Sequence, residues 1–466
     1  MVYIVPLSIV IAYLVGMLLV GIYTSKRLIR TSEDLILAGR NLGVILVAAS
    51  LSANNIGGGS TVGVAAKAYG DWGLSAGWYI LTAAIAMIPL ALVLARLRRS
   101  LVWTLPEVIG RRYGTPSYLL TSILQIVSLV CLSAMQVLAS GTIIAALTGL
   151  PYEVGVVIAG GISTVYTIMG GLWADAFTDL FQWAIIFFGM LAALPFVISN
   201  VGGFETMVSK LPPGHFDLFK AGGGTIVSLL IMYIVTFIMG SEMITRAFGA
   251  KDEKTAFRGS LLSAVFQGMF AFIPALIGLA ALAAFPNIKA SDAYATAMLR
   301  LAPPWIAGLG LSAILGATMS SADSDMLCAS SIFSKDIYQK FIRPKASDRE
   351  IILITRAGIA VIGGISILIA LLRLDIITVN TFAFMLRAAG PFAPFLFGIF
   401  REKVSRNAGI VAIIAGSVAG VAWRLMGQPY IGDVVLGSAV SVLAFIVTDK
   451  IEKALNRPLA PPLTPR

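Results

Sequence analysis

Charge is what this chain has least of. Charged residues are 12% of its 466 residues, hydrophobic residues are 58%, and mean hydropathy is +0.91. A soluble domain carries about a quarter charged residues. Half that share cannot coat a water-soluble protein of this size, so lipid is the expected solvent for most of its surface. Histidine is nearly absent. The single His215 lies in a Pro/Gly-rich loop and cannot build a catalytic or metal cluster alone. Cys131 and Cys328 both lie in apolar stretches and read as buried free thiols, not as a disulfide or metal site. No phosphate-binding loop is present: Gly57-Gly-Gly-Ser-Thr61 is not followed by lysine, so ATP is not an expected partner. No nucleophile–base set is visible, which argues against an enzyme. The net charge of +11 comes in short basic runs between apolar segments, so nucleic acid is not an expected partner either. The first apolar run has no charged leader and reads as a retained helix. The Pro-rich tail to Arg466 is too short to fold, and no soluble domain is expected.

What is there is a series of long apolar runs. About 20 apolar residues cross a bilayer of ~30 Å as a helix. Thirteen segments qualify: 3–23, 42–69, 73–95, 117–147, 151–170, 173–199, 224–248, 259–285, 305–334, 351–372, 376–400, 407–425 and 430–448. The connection at 373–375, ending in Asp375, is very short. Of the 34 basic residues, 26 fall on one side of this alternation, Arg466 among them, 7 on the other, and Arg387 inside a span. That bias predicts the N-terminus outside, the C-terminus cytoplasmic and a multi-pass protein of the cell membrane.

Several spans break the rules for lipid-facing helices. The second contains Ser50-Leu-Ser-Ala-Asn-Asn-Ile-Gly-Gly-Gly-Ser60. Each glycine weakens a helix by about 1 kcal/mol relative to alanine, and Asn54 beside Asn55 is unexplained by close packing. A discontinuous helix is expected, with unwound carbonyls facing a cation and freed N–H groups facing a substrate. Span 224–248 carries Gly240-Ser241-Glu242, a second candidate break. Glu242 and Arg246 stand four apart and are expected to pair along one face. Paired interruptions in two groups of five helices, one inverted, point to a transporter site at the midplane.

Span 305–334 holds Ala317-Thr-Met-Ser320-Ser321-Ala-Asp323-Ser324. Hydroxyls with one carboxylate suit a weakly bound monovalent ion, and an aspartate at this depth signals function. Asp175 and Asp179 share a helix face and repel. The expectation is an aqueous rim for Asp175 and a nearby cation for Asp179. Arg387, alone in mid-span, needs either a partner such as Glu242 or Asp323, or a substrate carboxylate to clamp.

Three blocks together resemble the sodium:solute symporter family. They are Leu51-Ser-Ala53-Asn-Asn-Ile56-Gly-Gly-Gly; Met169-Gly-Gly-Leu172 through Thr178-Asp179-Leu-Phe-Gln182; and Met319-Ser-Ser-Ala-Asp-Ser324 through Ser330-Ser-Ile-Phe and Asp336-Ile-Tyr338. The resemblance implies an all-α polytopic membrane protein of about 13 transmembrane helices. Its core would be an inverted five-helix repeat like that of the leucine transporter. One transporter domain would span 1–466, divided into a leading helix and loop (1–41), two repeats (42–199 and 224–400) and two trailing helices with a tail (401–466).

The resemblance also implies a first Na+ site from carbonyls of Ala53, Ile56 and Ala317 with hydroxyls of Ser320 and Ser321. A second would use Asp179, Ser320, Asp323 and Ser324. Within the family, Ser320-Ser-Ala-Asp-Ser324 and Lys345-Ala-Ser-Asp-Arg-Glu350 look like the choline-transporter branch. The tryptophans that cage a quaternary amine there are missing: Gly240 stands where one is expected, with Asn54-Asn55-Ile56 and Met135-Gln136 nearby. Expected substrate contacts are therefore Asn54, Asn55, Gly57, Gly58, Gln136, Ser241, Glu242 and Arg387. The expected function is sodium-coupled symport of a small polar solute, amino acid or carboxylate, by a monomer or weak homo-oligomer. Alternatives are a proton-coupled carrier using Asp179 and Asp323, a choline or amine carrier, and a solute sensor that does not transport.

Overall fold

In a computed structural model the described residues are 3–374, 376–428 and 431–463, without the side chains of Ser25 and Ile377. Asp375 in the short connection, Tyr430 at the start of the last expected span and Arg466 in the tail lie outside the described residues. The principal helices are α1 (Ile4–Arg27), α2 (Val44–Asn55), α3 (Val64–Tyr69), α4 (Trp78–Arg99), α5 (Thr115–Thr148), α6 (Tyr152–Asn200), α7 (Gly223–Ile238) and α8 (Ser241–Gly249). There follow α9 (Glu253–Phe270), α10 (Ile273–Ala284), α11 (Pro304–Ser331), α12 (Asp348–Ala370), α13 (Ile376–Ala388), α14 (Phe392–Phe400), α15 (Arg406–Leu425) and α16 (Asp433–Ala454). Among the described residues the only extended pairings are two isolated bridges. In lipid, a helix satisfies every backbone group within its own segment, which is why apolar runs of this length take that form.

Nine helices among the described residues are long and apolar enough to cross a membrane, and eleven if two bent pairs each count as one span. The pairs are α7–α8, bent by 51°, and α13–α14, bent by 46°. The expected thirteen is thus not reproduced by length and composition. The shortfall lies in two places. The stretch 42–69 is divided into α2 and α3, each too short alone. The 49-residue α6 counts once, although 49 residues rise about 70 Å, twice a bilayer. Within α6, Gly171 has φ 52° and ψ −159°, and a Cβ there would lie 2.4 Å from the Leu35 carbonyl oxygen. Only glycine tolerates both the angle and the contact, and the helix changes direction there.

Helix α11 is the axis of the molecule. Its most apolar window is 89% buried, against 22% for α1 and 33% for α12, α15 and α16, which face outward. It packs against α1, α2, α5, α6 and α12. Surrounded by protein, α11 carries Ser320, Ser321, Asp323, Ser324 and Asp325 without meeting lipid.

The loops gather at two ends. At one, Ser32 Oγ donates to Asp348 at 2.6 Å, Arg98 Nε to the Ala250 carbonyl at 2.6 Å, and Arg112 to the Glu402 carbonyl at 3.0 Å. These loops carry most of the basic residues. Asp252 caps α9 there by accepting from Thr255 N–H, which holds its carboxyl below the usual range. At the other end, Leu74 N–H donates to the His215 carbonyl at 2.7 Å, and the His215 ring lies 3.0 Å from the Gly70 carbonyl. His215 therefore ties loops together.

Candidate functional site

The site forms where α2 stops. Ile56 (φ −85°, ψ 69°) leaves the helix after Asn55, and helical structure resumes as a wide turn over Gly59–Gly63. The break frees carbonyls and N–H groups in mid-membrane, which must be satisfied locally. Neighbours supply part of that. Ser321 Oγ of α11 lies 2.6 Å from the Asn54 carbonyl oxygen and 3.0 Å from that of Ala317. Gly58 N–H donates to Gln136 Oε1 at 3.0 Å, and Ser60 Oγ to the Asn55 carbonyl at 3.1 Å. A Cβ on Gly57 would lie 2.9 Å from Ser321 Oγ and 2.6 Å from Gln136 Nε2. The structure thus brings 54–58 and 317–321 together. Ala53, Ile56 and Ala317 are all buried in these two stretches. Neutral carbonyl and hydroxyl oxygens of this kind fit a monovalent hard cation.

One turn along α11, a charged cluster joins it to α6 and α8. Asp179 accepts from Ser50 and Ser320. Arg246 Nη2 pairs with Asp175 at 2.7 Å, reaches Asp179 at 3.5 Å and donates to Ser324. Its Nε donates to Ser50 at 2.9 Å and its Nη1 to the Glu242 carbonyl at 2.7 Å. Two expectations are corrected here. Asp175 is not at an aqueous rim: it is 2% exposed, because Arg246 supplies its counter-charge inside the protein. Arg246 and Glu242 do not pair side chain to side chain. The guanidinium swings to the aspartates, and the Glu242 carboxylate turns the other way to Arg387, 2.6 Å distant. The cation beside Asp179 is Arg246. Asp323, also buried, has no hydrogen-bond partner on either oxygen. Asp179, Ser320 and Ser324 share one network, and Asp323 stands apart from it.

A narrow cavity of about 50 Å³ opens on the break. Asn54, Asn55, Gly57, Gln136, Glu242 and Arg387 of the expected contacts line it, with Ser321. Gly58 and Ser241 do not: Gly58 is taken up by Gln136 and Ala139, and Ser241 Oγ donates to Gln125 Oε1 at 3.0 Å. Asn55 Nδ2 donates to Gln267, whereas Asn54 Nδ2 is buried without a partner.

Sequence reasoning missed the rest of the lining. Tyr79, Tyr233, Phe237 and Phe384 form an aromatic wall, with Tyr233 ring centroids 5.4 Å from Tyr79 and 5.1 Å from Phe237. Asn380 holds the Tyr79 hydroxyl at 3.1 Å. Asp325 adds a second carboxylate. Its spacing of four from Ser321 was the available signal. Two further cavities share Gly59, Tyr79, Gly63, Lys67 and Trp72 in turn and lead to the end that carries Asp71, Ser291 and Leu374.

The profile of the Sodium:solute symporter family matches residues 35–416. The sodium/proline symporter of Salmonella typhimurium is 25% identical over 95% of this chain and 92% of its own length. The osmoregulated proline transporter of Bacillus subtilis is 27% identical over 95% and 94%. The sodium/pantothenate symporter of Escherichia coli is 27% identical over 94% and 95%. In fold, the chain superposes on a Na+-coupled sialic acid symporter in a substrate-bound outward-open state, with a TM-score of 0.85, 22% identity and 98% of both chains covered. A nucleobase-cation-symport-1 family transporter in a closed conformation gives 0.59 at 16% identity, over 92% of this chain and 96% of its own. With the broken helix, the buried oxygens and the central cavity, these matches make the chain a member of the sodium:solute symporter family, a multi-pass membrane protein that couples movement of a small solute to Na+.

Proposed function

We propose that this protein carries a small amino-acid-like solute with Na+ by alternating access, through the cavity beside the α2 break. The observation that carries the reading is the approach of Ser321 Oγ to the Asn54 carbonyl at 2.6 Å. One coordinating ion at 53–56 and 317–321 would tie the broken helix to α11 and complete the cavity wall. Sodium then biases the equilibrium only as far as it binds one state better than the other. The first site in this reading is Ala53, Ile56, Ala317, Ser320 and Ser321. A second would use Asp323 with Asp179, Ser320 and Ser324, alongside Arg246. Successive cavities with shared wall residues toward the Asp71 end support an outward-facing state, with this end read as the outer one. The basic loops at the opposite end would face the cytoplasm. The repeats would be 42–199 and 224–400, in a monomer or weak homo-oligomer.

Sodium titration of thermal stability tests the first site without a known solute. In purified protein, Na+ should raise the melting temperature, and Ser321→Ala should shift the half-effective concentration upward by roughly tenfold, the loss of one charge-assisted ligand. An unchanged midpoint would remove this site from the reading.

A further inference from the structure

The cavity lining contains three ionisable side chains besides its tyrosines: Glu242, Arg387 and Asp325. Glu242 and Arg387 neutralise each other at 2.6 Å. Asp325 is left over. It is 3% exposed, and among the described residues no group donates a hydrogen bond to it. A carboxyl group in low dielectric is stable either neutral or beside a positive charge. A cationic group entering the cavity would supply that charge. Asp325 stands four residues beyond Ser321 on the same face of α11, about 6 Å deeper from the outer mouth. The same cavity also has an aromatic wall. Ring faces attract cations and offer nothing to an anion. The Arg387 guanidinium already lies 4.7 Å from the Phe384 ring centroid, so this wall accepts positive charge.

We infer that the transported solute bears a positively charged nitrogen, and that Asp325 is its recognition residue at the floor of the cavity. The proposal rests on the symport reading and narrows its cargo. A plain carboxylate or a sugar leaves Asp325 unmatched. An ammonium would satisfy it, with Tyr233 and Phe384 in the same lining. The spare donors of Arg387, whose Nε is buried without a partner, can take the carboxylate of a zwitterion.

Matched compound pairs test this. Full-length protein in lipid nanodiscs would be melted with proline and cyclopentanecarboxylate, alanine and propionate, glycine betaine, agmatine and galactose, each in sodium and in potassium. Stabilising compounds should all carry a cationic nitrogen, with des-amino partners at least roughly tenfold weaker. Asp325→Asn should weaken the amines by at least tenfold and keep the shift given by sodium alone, which also shows that the variant is folded. Asp325→Glu should restore part of the affinity. Three results would overturn the inference: a des-amino compound that binds as well as its amine, full amine affinity in Asp325→Asn, or no amine binding while sodium still stabilises. Failure of sodium to stabilise the wild-type protein would instead overturn the symport reading.

Discussion

Glu242 and Arg387 sit 3% and 1% exposed, with little solvent to screen them. Truncating one strands the other, at a cost of about 3–5 kcal/mol. Truncating both removes the problem along with the attraction. Arg387→Gln should therefore lower the melting temperature in detergent sharply, and Glu242→Gln with Arg387→Gln should recover at least half of that loss. Losses that simply add would mean the two side chains are not coupled. Arg246 offers a different contrast. Its planar fork serves Asp175, Ser324, Ser50 and the Glu242 carbonyl at once, and lysine cannot reproduce that geometry. Arg246→Lys should melt earlier by about 2–4 kcal/mol of stability and lose less of its response to Na+ than Ser321→Ala does, since Ser321 lies outside the fork. The sequence could not choose these partners. Spacing of four says which side chains can meet along one helix, and Glu242 and Arg246 satisfied it. Burial and reach across helices decided otherwise. The repulsion between Asp175 and Asp179 was legible, and it pointed to a cation near Asp179; that the cation was part of the chain, and served Asp175 too, was not. Asp325 stayed hidden because a helix surrounded by protein has no apolar stripe against which a polar face stands out.

At the level of helices, glycines mark where backbones touch or turn. A Cβ on Gly278 of α10 would lie 2.3 Å from the Ala65 carbonyl oxygen of α3, a backbone atom with little room to give. Gly268 of α9 has nothing within 4 Å of such a Cβ. Gly278→Ala should cost about 1–3 kcal/mol, whereas Gly268→Ala should stay within about 0.5 kcal/mol of wild type or gain slightly. Equal melting temperatures would contradict the close approach of α3 and α10. Gly57→Ala should act on function instead: its Cβ would press on Gln136 and Ser321, so the protein should fold and lose stabilisation by Na+ in the same melting assay. The α2 break was readable from Asn54, Asn55 and three successive glycines, and the α8 bend from Gly240 before a polar turn. The turn at Gly171 falls in the gap between the expected spans 151–170 and 173–199; what the sequence did not show is the reason for a glycine there, a carbonyl on Leu35, distant in sequence.

For the whole molecule, three cavities that share wall residues follow one another from the Asp71 and Ser291 end toward Ser321. Ser291→Cys, placed at the mouth, should react with a membrane-impermeant maleimide faster in sodium than in potassium. Cys131 and Cys328 should not interfere, because Cys328 is buried against Thr245 and Cys131 lies in α5. Labelling independent of the cation would contradict an ion-biased opening at this end. The gathering of basic loops at the far end was legible from charge alone. The number of crossings was less so, since bends and merged helices blur where one pass ends and another begins. Arg246 has a consequence on this scale. On the proposed alternating-access cycle, cargo and sodium would leave at the end of each turnover, and the vacated carrier would swing back without them. A positive charge fixed to the polypeptide cannot depart, so Asp175 and Asp179 would still have a counter-charge when no ion is bound.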